Sequence, residues 1–187
     1  MKKLEKFINY ICGRFNNENQ LKEEKAITGG VRTPVAKHIV GICNDKIKNL
    51  PEDFNGYFTI DETYYNHGEH ETALHHLFLY TLNKDNDVVL TSYELPTDVD
   101  YNDFINANDK LVIDYSKLEL SKKFTPITFE EKDGYFLAES ESNFSSEVIF
   151  TAIEKVCDGK MYVTEIFRKN GVIISGSEDP IVYDKIK

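Results

Sequence analysis

From residue 35 onward the chain is a succession of short apolar runs cut by turn-forming residues. The cuts fall at Asn83-Lys84-Asp85-Asn86-Asp87, Asp133-Gly134, Ser142-Asn143, Asp158-Gly159 and Asn170-Gly171. Asn, Asp and Gly tolerate the left-handed backbone that tight hairpins need, so this spacing predicts antiparallel strands in sequence order. The runs predict strands over Val35–Cys43, Gly56–Tyr65, Thr72–Leu82, Val88–Leu95, Ile127–Glu131, Tyr135–Glu141, Glu147–Val156, Met161–Lys169, Val172–Ser175 and Ile181–Ile186. About ten strands in a meander leave costly open edges unless the sheet closes on itself. The expected fold is therefore mainly β, an antiparallel barrel whose interior holds one small ligand.

The N-terminus reads differently. Leu4, Phe7, Ile8, Ile11, Cys12 and Phe15 recur at helical spacing, which predicts a helix that plugs or flanks one end of the barrel. A further turn or two of helix is expected around Gln20 to Lys25, before Gly29-Gly30 and Pro34 break the pattern. Residues 1–27 are thus read as a helical segment and 35–187 as the barrel of a single domain. Asp98–Lys110 reads as a loop or short helix, and Leu111–Leu120 is ambiguous between strand and loop.

Composition narrows the function classes. The 187 residues are 41% hydrophobic and 29% charged, a globular balance with no apolar run long enough to span a bilayer as a helix. No basic segment followed by an apolar stretch opens the chain, so no secretory signal is expected. The net charge of −10 opposes a general nucleic-acid binder. Residues 1–50 carry 10 basic and 5 acidic side chains, against 12 and 27 in the remainder, so the cations gather in the first quarter. Three scattered cysteines, Cys12, Cys43 and Cys157, form no disulfide framework or zinc motif and point to a reducing, cytoplasmic setting.

Several chemistries lack their motifs. There is no Gly-x-Ser-x-Gly elbow, P-loop or dinucleotide fingerprint. His67, His70, His75 and His76 are close in sequence, but the interval from His70 to His75 is one residue too long for a helical zinc pair. No metal is expected, and the segment reads as a turn into a strand that puts one His on the cavity face. Asp61-Glu62 is more informative. Strand alternation turns one carboxylate toward the barrel interior and the other toward solvent. A carboxylate inside a cavity needs a cationic or hydrogen-bonding partner. Arg14 and Arg32 lie in the basic first quarter, where they are placed to meet an anionic ligand group or to remain solvated.

The order of motifs resembles the CpcT/CpeT (T-type) phycobiliprotein lyases. Gly13-Arg14-Phe15-Asn16-Asn17-Glu18-Asn19-Gln20 is similar to that family's opening Phe-x-Asn-x-x-Gln. His38-Ile39-Val40, the segment Phe58 to Tyr64, Leu77-Phe78-Leu79-Tyr80 and Val89 to Leu95 resemble its successive strands. Ser175-Gly176 followed by Asp179-Pro180-Ile181-Val182-Tyr183 is similar to its closing motif. The family's Glu-Gln is Asp61-Glu62 here, and Leu74-His75-His76 stands where it has Arg-x-Arg.

The resemblance implies a lipocalin-like (calycin) barrel that binds an open-chain tetrapyrrole of the phycoerythrobilin or phycocyanobilin type. The bilin is substrate, and no cofactor is required. The implied partner is a phycobiliprotein β-subunit, one of whose cysteines receives the bilin as a thioether; there is room for a homodimer, and none for nucleic acid or membrane. On this reading Asp61 or Glu62 is catalytic, hydrogen-bonding the pyrrole N–H groups, with Asp61 favoured because it stands at the family's Glu. Arg14, Arg32, Lys37 or a protonated His76 meets the propionates. His38, Tyr64, Tyr65, Phe78, Tyr80 and Tyr93 complete the expected lining. The alternative is a carrier or chaperone on the same barrel that holds a bilin, haem or fatty acid without covalent chemistry.

Overall fold

A computed structural model describes residues 2–66, 68 and 70–186. Helix α1 (Lys3–Ile11) leads into β1 (Gly13–Asn16), and α2 (Glu18–Thr28) into β2 (Val35–Ile42). The other strands are β3 (Ile47–Lys48), β4 (Tyr57–Asn66), β5 (Glu71–Leu82), β6 (Val88–Tyr93), β7 (Ile113–Asp114), β8 (Ile127–Lys132), β9 (Tyr135–Asn143), β10 (Val148–Cys157), β11 (Lys160–Lys169), β12 (Val172–Gly176) and β13 (Ile181–Ile186). Ten of them close an antiparallel barrel in the order β10-β9-β8-β6-β5-β4-β2-β1-β13-β11, and β11 returns to β10. Every edge in that ring is paired, as the meander pattern requires. The turns behave as their residues dictate: Asn170 and Gly171 have φ of 52° and 78°, the left-handed pair of a tight hairpin.

The segment expected to be purely helical contributes a strand. β1 pairs with β2 on one side and β13 on the other and joins the two ends of the chain. Phe15, spaced to extend the helical face, is instead the buried inward residue of β1. The expected second turn or two of helix is the eleven-residue α2, which buries none of its residues and ends at Gly29 with φ of 74°.

Strand alternation divides the apolar residues between the two faces of the wall. The inner core is capped by α1, where Phe7 is fully buried against Tyr80, Phe129 and Phe136 at 4.7–5.3 Å between ring centroids. A second core lies outside the barrel, on the outer face of β4 and β5. There Phe58, Ile60, Leu77 and Leu79 are covered by Phe104, Leu111 and Ile113 from the long connection after β6. The Leu111–Leu120 segment is part of that cover; it holds the two-residue β7, which pairs in parallel with β3, a 3-10 turn at Tyr115–Lys117 and a single bridge from Leu120 to Tyr93. Among the described residues no helix is long and apolar enough to cross a membrane.

Candidate functional site

With α1 sealing one end, the other end of the barrel opens into a cavity of about 850 Å³. That lies within the size range of small-molecule sites, roughly 300–1,000 Å³. One side is α2 with the following segment, which contributes Gln20, Glu24, Arg32 and Pro34. The opposite wall is made by Tyr65 of β4, Leu74 of β5, and Val163, Glu165 and Phe167 of β11; residues 175–182 complete the rim.

Polar side chains fix that rim. Gln20 donates to the Pro180 carbonyl and accepts from the Val182 amide, both at 2.9 Å. Glu24 accepts from the amides of Arg32 and Thr33 and from the Thr33 hydroxyl. Those bonds hold its carboxyl below the usual range. Asn17 donates to the Pro34 carbonyl and accepts from the Ala36 amide. Arg32 is the one Lys or Arg among the described residues lining the cavity.

Below the cavity lies a polar layer. Asp61 on β4 is 4% exposed. Its Oδ2 is 3.2 Å from Nε2 of His38 on β2, while its Oδ1 has no partner. Burial opposes charge on His38, but Asp61, Glu154 and Glu165 outweigh it and the imidazole is held above its usual range. Glu154 on β10 and Glu165 on β11 face the same interior. Glu154 is opposite Val163 and Ala152 is opposite Glu165, so the two carboxylates are diagonal neighbours across the β10–β11 pair. Burial first, then Glu165 and Asp61, push Glu154 up to about 7. Burial also raises Glu165, which accepts from the Tyr65 hydroxyl; Tyr65 in turn accepts from Tyr183. Glu165 is the carboxylate that reaches both the cavity and this layer.

The expected site residues divide by strand parity. Asp61, His38, Tyr65, His76, Phe78 and Tyr80 all face inward. Of these only Tyr65 lines the mouth cavity, and Asp61 lies deeper than the direct contact expected of it. Arg32 is at the rim. Five of the expected residues instead have their side chains on the outer face of the wall. Arg14 and Lys37 are exposed neighbours of the inward Phe15, Ala36 and His38. Tyr93 packs in the outer core against Phe58. Glu62 and Tyr64 are also outside the barrel.

Glu62 does not meet solvent, however, because the long connection buries it. Its Oε1 accepts from the Asn106 amide and Nδ2, and its Oε2 accepts from the Tyr64 hydroxyl. Beside it His75 stacks on Tyr101 at 4.6 Å, so Glu62 and His75 anchor a loop. His76 fails as a cation: burial, with His38 and His75 nearby, lowers its pKa despite Asp61. It stacks on Phe78 at 5.2 Å as an apolar ring would. Of the histidine cluster, His67 lies outside the described residues, as does Glu69. Among the described residues no group of three or more His, Cys, Asp or Glu side chains is arranged to hold a metal ion.

Glu154 and Glu165 were not singled out in the sequence, yet a signal was present. Phe150, Ala152, Glu154 and Val156 share one parity, as do Met161, Val163, Glu165 and Phe167. A carboxylate in an otherwise apolar inward row is a candidate functional position. Comparisons with protein-family models, with curated proteins and with solved structures find no match.

Proposed function

We propose that the protein binds an open-chain tetrapyrrole in the mouth of the barrel. It then attaches the bilin, or assists its attachment, to a cysteine of a phycobiliprotein β-subunit in the cytoplasm. The observation that carries this reading is the placing of charge in the cavity: a carboxylate, Glu165, at its inner wall, and a guanidinium, Arg32, at a rim that also carries Glu24 and Asp179. A bilin is N–H-rich along its body and bears propionates on its periphery. Its pyrrole nitrogens suit Glu165, and a propionate suits Arg32. Leu74, Val163 and Phe167 supply apolar wall for the conjugated body. A fatty acid headed at Arg32 would lay its hydrocarbon against Glu165, covering with hydrocarbon a polar group whose one side-chain partner is the Tyr65 hydroxyl.

The chemistry asked of the protein is modest. The acceptor's cysteine sulfur bonds to the ethylidene carbon, and the thiol proton ends on the chromophore, so nothing is released. A carboxylate against the ring nitrogens favours the protonated, more electrophilic chromophore. The barrel holds it extended and presents it at the mouth.

The test is transfer. Phycoerythrobilin or phycocyanobilin is incubated with this protein and a phycobiliprotein β-subunit, and the acceptor is then denatured. Colour that persists on the denatured acceptor marks the thioether. Binding with colour always lost on denaturation replaces the lyase by a carrier. Failure to bind either bilin while haem or a fatty acid binds rejects the tetrapyrrole reading.

A further inference from the structure

Three carboxylates share the interior layer of the barrel with one imidazole that favours its charged form. His38 pairs with Asp61. His76 is driven toward neutrality. No lysine or arginine among the described residues acts on Glu154 or Glu165. Glu154 makes no hydrogen bond or ion pair to a described side chain, while Glu165 accepts only from Tyr65. The groups around Glu154 are Glu165 from β11, Asp61 from β4, His38 from β2 and Tyr80 from β5; β9 places the apolar Ala138 opposite it. Ionising both would place two charges, with no Lys or Arg partner, on diagonal neighbours inside the barrel wall, so ionisation of each opposes ionisation of the other. Asp61, 4% exposed with Oδ1 unpartnered, shows that the layer has acceptor capacity the protein does not fill.

We infer that Glu154 and Glu165 hold one proton between them in the ligand-free barrel and deliver it to a basic imine-type nitrogen of the ligand. The O–H bond of the carboxylic acid breaks and an N–H bond forms. The products are a carboxylate and a cationic ring nitrogen, an ion pair with no net change in charge. The ligand class is a conjugated molecule whose chromophore is neutral before binding and carries a basic sp² nitrogen. Glu165 touches the cavity, and Glu154 acts through it as a positioning residue. The delivery step rests on the tetrapyrrole reading; the stored proton does not. The raised titration of Glu154, at about 7, puts the stored proton within the physiological range.

Infrared difference spectroscopy of the intact protein reads the proton directly. Ligand-free wild type at pH 6 should show the carbonyl stretch of a protonated carboxylic acid, disappearing as the pH is raised to 9. Glu154→Gln should weaken the band at pH 6, because it removes one of the two carboxyls that share the proton and leaves Glu165 without a like charge diagonal to it. Should that variant not fold, Glu165→Gln must at least weaken the band. A wild type with no such band, or a band unchanged in both variants, overturns the inference. Adding biliverdin at pH 6 should abolish the band. If biliverdin binds and the band stays, delivery is wrong. If biliverdin does not bind, delivery falls with the tetrapyrrole reading, and the ligand-free band alone decides whether the proton is stored.

Discussion

His38 and Asp61 meet inside the barrel with Nε2 and Oδ2 3.2 Å apart, and the other ring nitrogen of His38 is 2.9 Å from the Thr63 hydroxyl. The imidazole thus bridges two inward residues of β4 and fixes the carboxylate's direction. Removing one partner of a buried pair costs more than the pair contributes, since the remaining charge is stranded.

His38→Ala should therefore destabilise the protein by about 3–5 kcal/mol near pH 6. The folded pKa of His38 is raised, so its contribution is full below the unfolded value near 6.5 and is lost as the pH rises through the folded value. Urea unfolding at pH 6 and pH 9 should show a smaller penalty at the higher pH. Equal penalties at both would mean the imidazole is neutral throughout.

Glu154 gives stability the same sign of pH dependence. Its folded pKa is raised from 4.5 to about 7, so its contribution is present below 4.5 and is lost as the pH rises through 7. The difference corresponds to about 3 kcal/mol across that interval. Wild-type stability should fall between about pH 5 and pH 8, and Glu154→Gln should flatten that fall and exceed wild type at pH 8. Thermal unfolding as a function of pH measures both.

The latch on the outer face can be tested by a double-mutant cycle. Asn106 Nδ2 donates to Glu62 and to the Ile60 carbonyl, and a Cβ at Gly41 would come within 2.1 Å of Asn106 Oδ1. Asn106→Ala should cost about 1–3 kcal/mol. Gly41→Ala should be destabilising in wild type and nearly neutral once Asn106 is Ala. Full additivity would show that the close approach does not constrain the loop.

At the closed end, Phe7→Ala should cost about 3–5 kcal/mol, because the fully buried ring fills the plug between Tyr80, Phe129 and Phe136. A loss below 1 kcal/mol in urea unfolding would mean that the capping helix contributes little to the barrel.

The closed barrel was legible because its signals are local. Asn170-Gly171 and Asp158-Gly159 fix turns whatever surrounds them, and strand alternation sets which residues share a face. What was not legible depended on distant chain. Phe15 has helical spacing, yet pairing with β2 and β13 makes it part of a strand. Glu62 has the parity of an outward residue, which implies water; the connection carrying Asn106 and Tyr101, forty residues later, buries it. Arg14 and Lys37 attracted attention as cations in a basic region, but parity alone would have placed them beside the inward Phe15 and His38. Asp61 was legible as an inward carboxylate. Its depth below the mouth was not, because depth depends on the tilt and length of strands across the whole barrel.

The most direct test of the account is an absorption titration of the purified protein with phycocyanobilin at pH 7, in wild type and in Glu165→Gln. Tetrapyrrole bound in the mouth against Glu165 should give a red-shifted, sharpened long-wavelength band that saturates at one ligand per chain. In Glu165→Gln the band should return toward the wavelength of the free neutral chromophore, because the amide does not stabilise a ring cation. Arg32→Ala should weaken binding and leave the band position alone. No spectral change at micromolar protein, or an identical shift in Glu165→Gln, would contradict the claim that this cavity is a tetrapyrrole site organised by the Glu165 carboxylate.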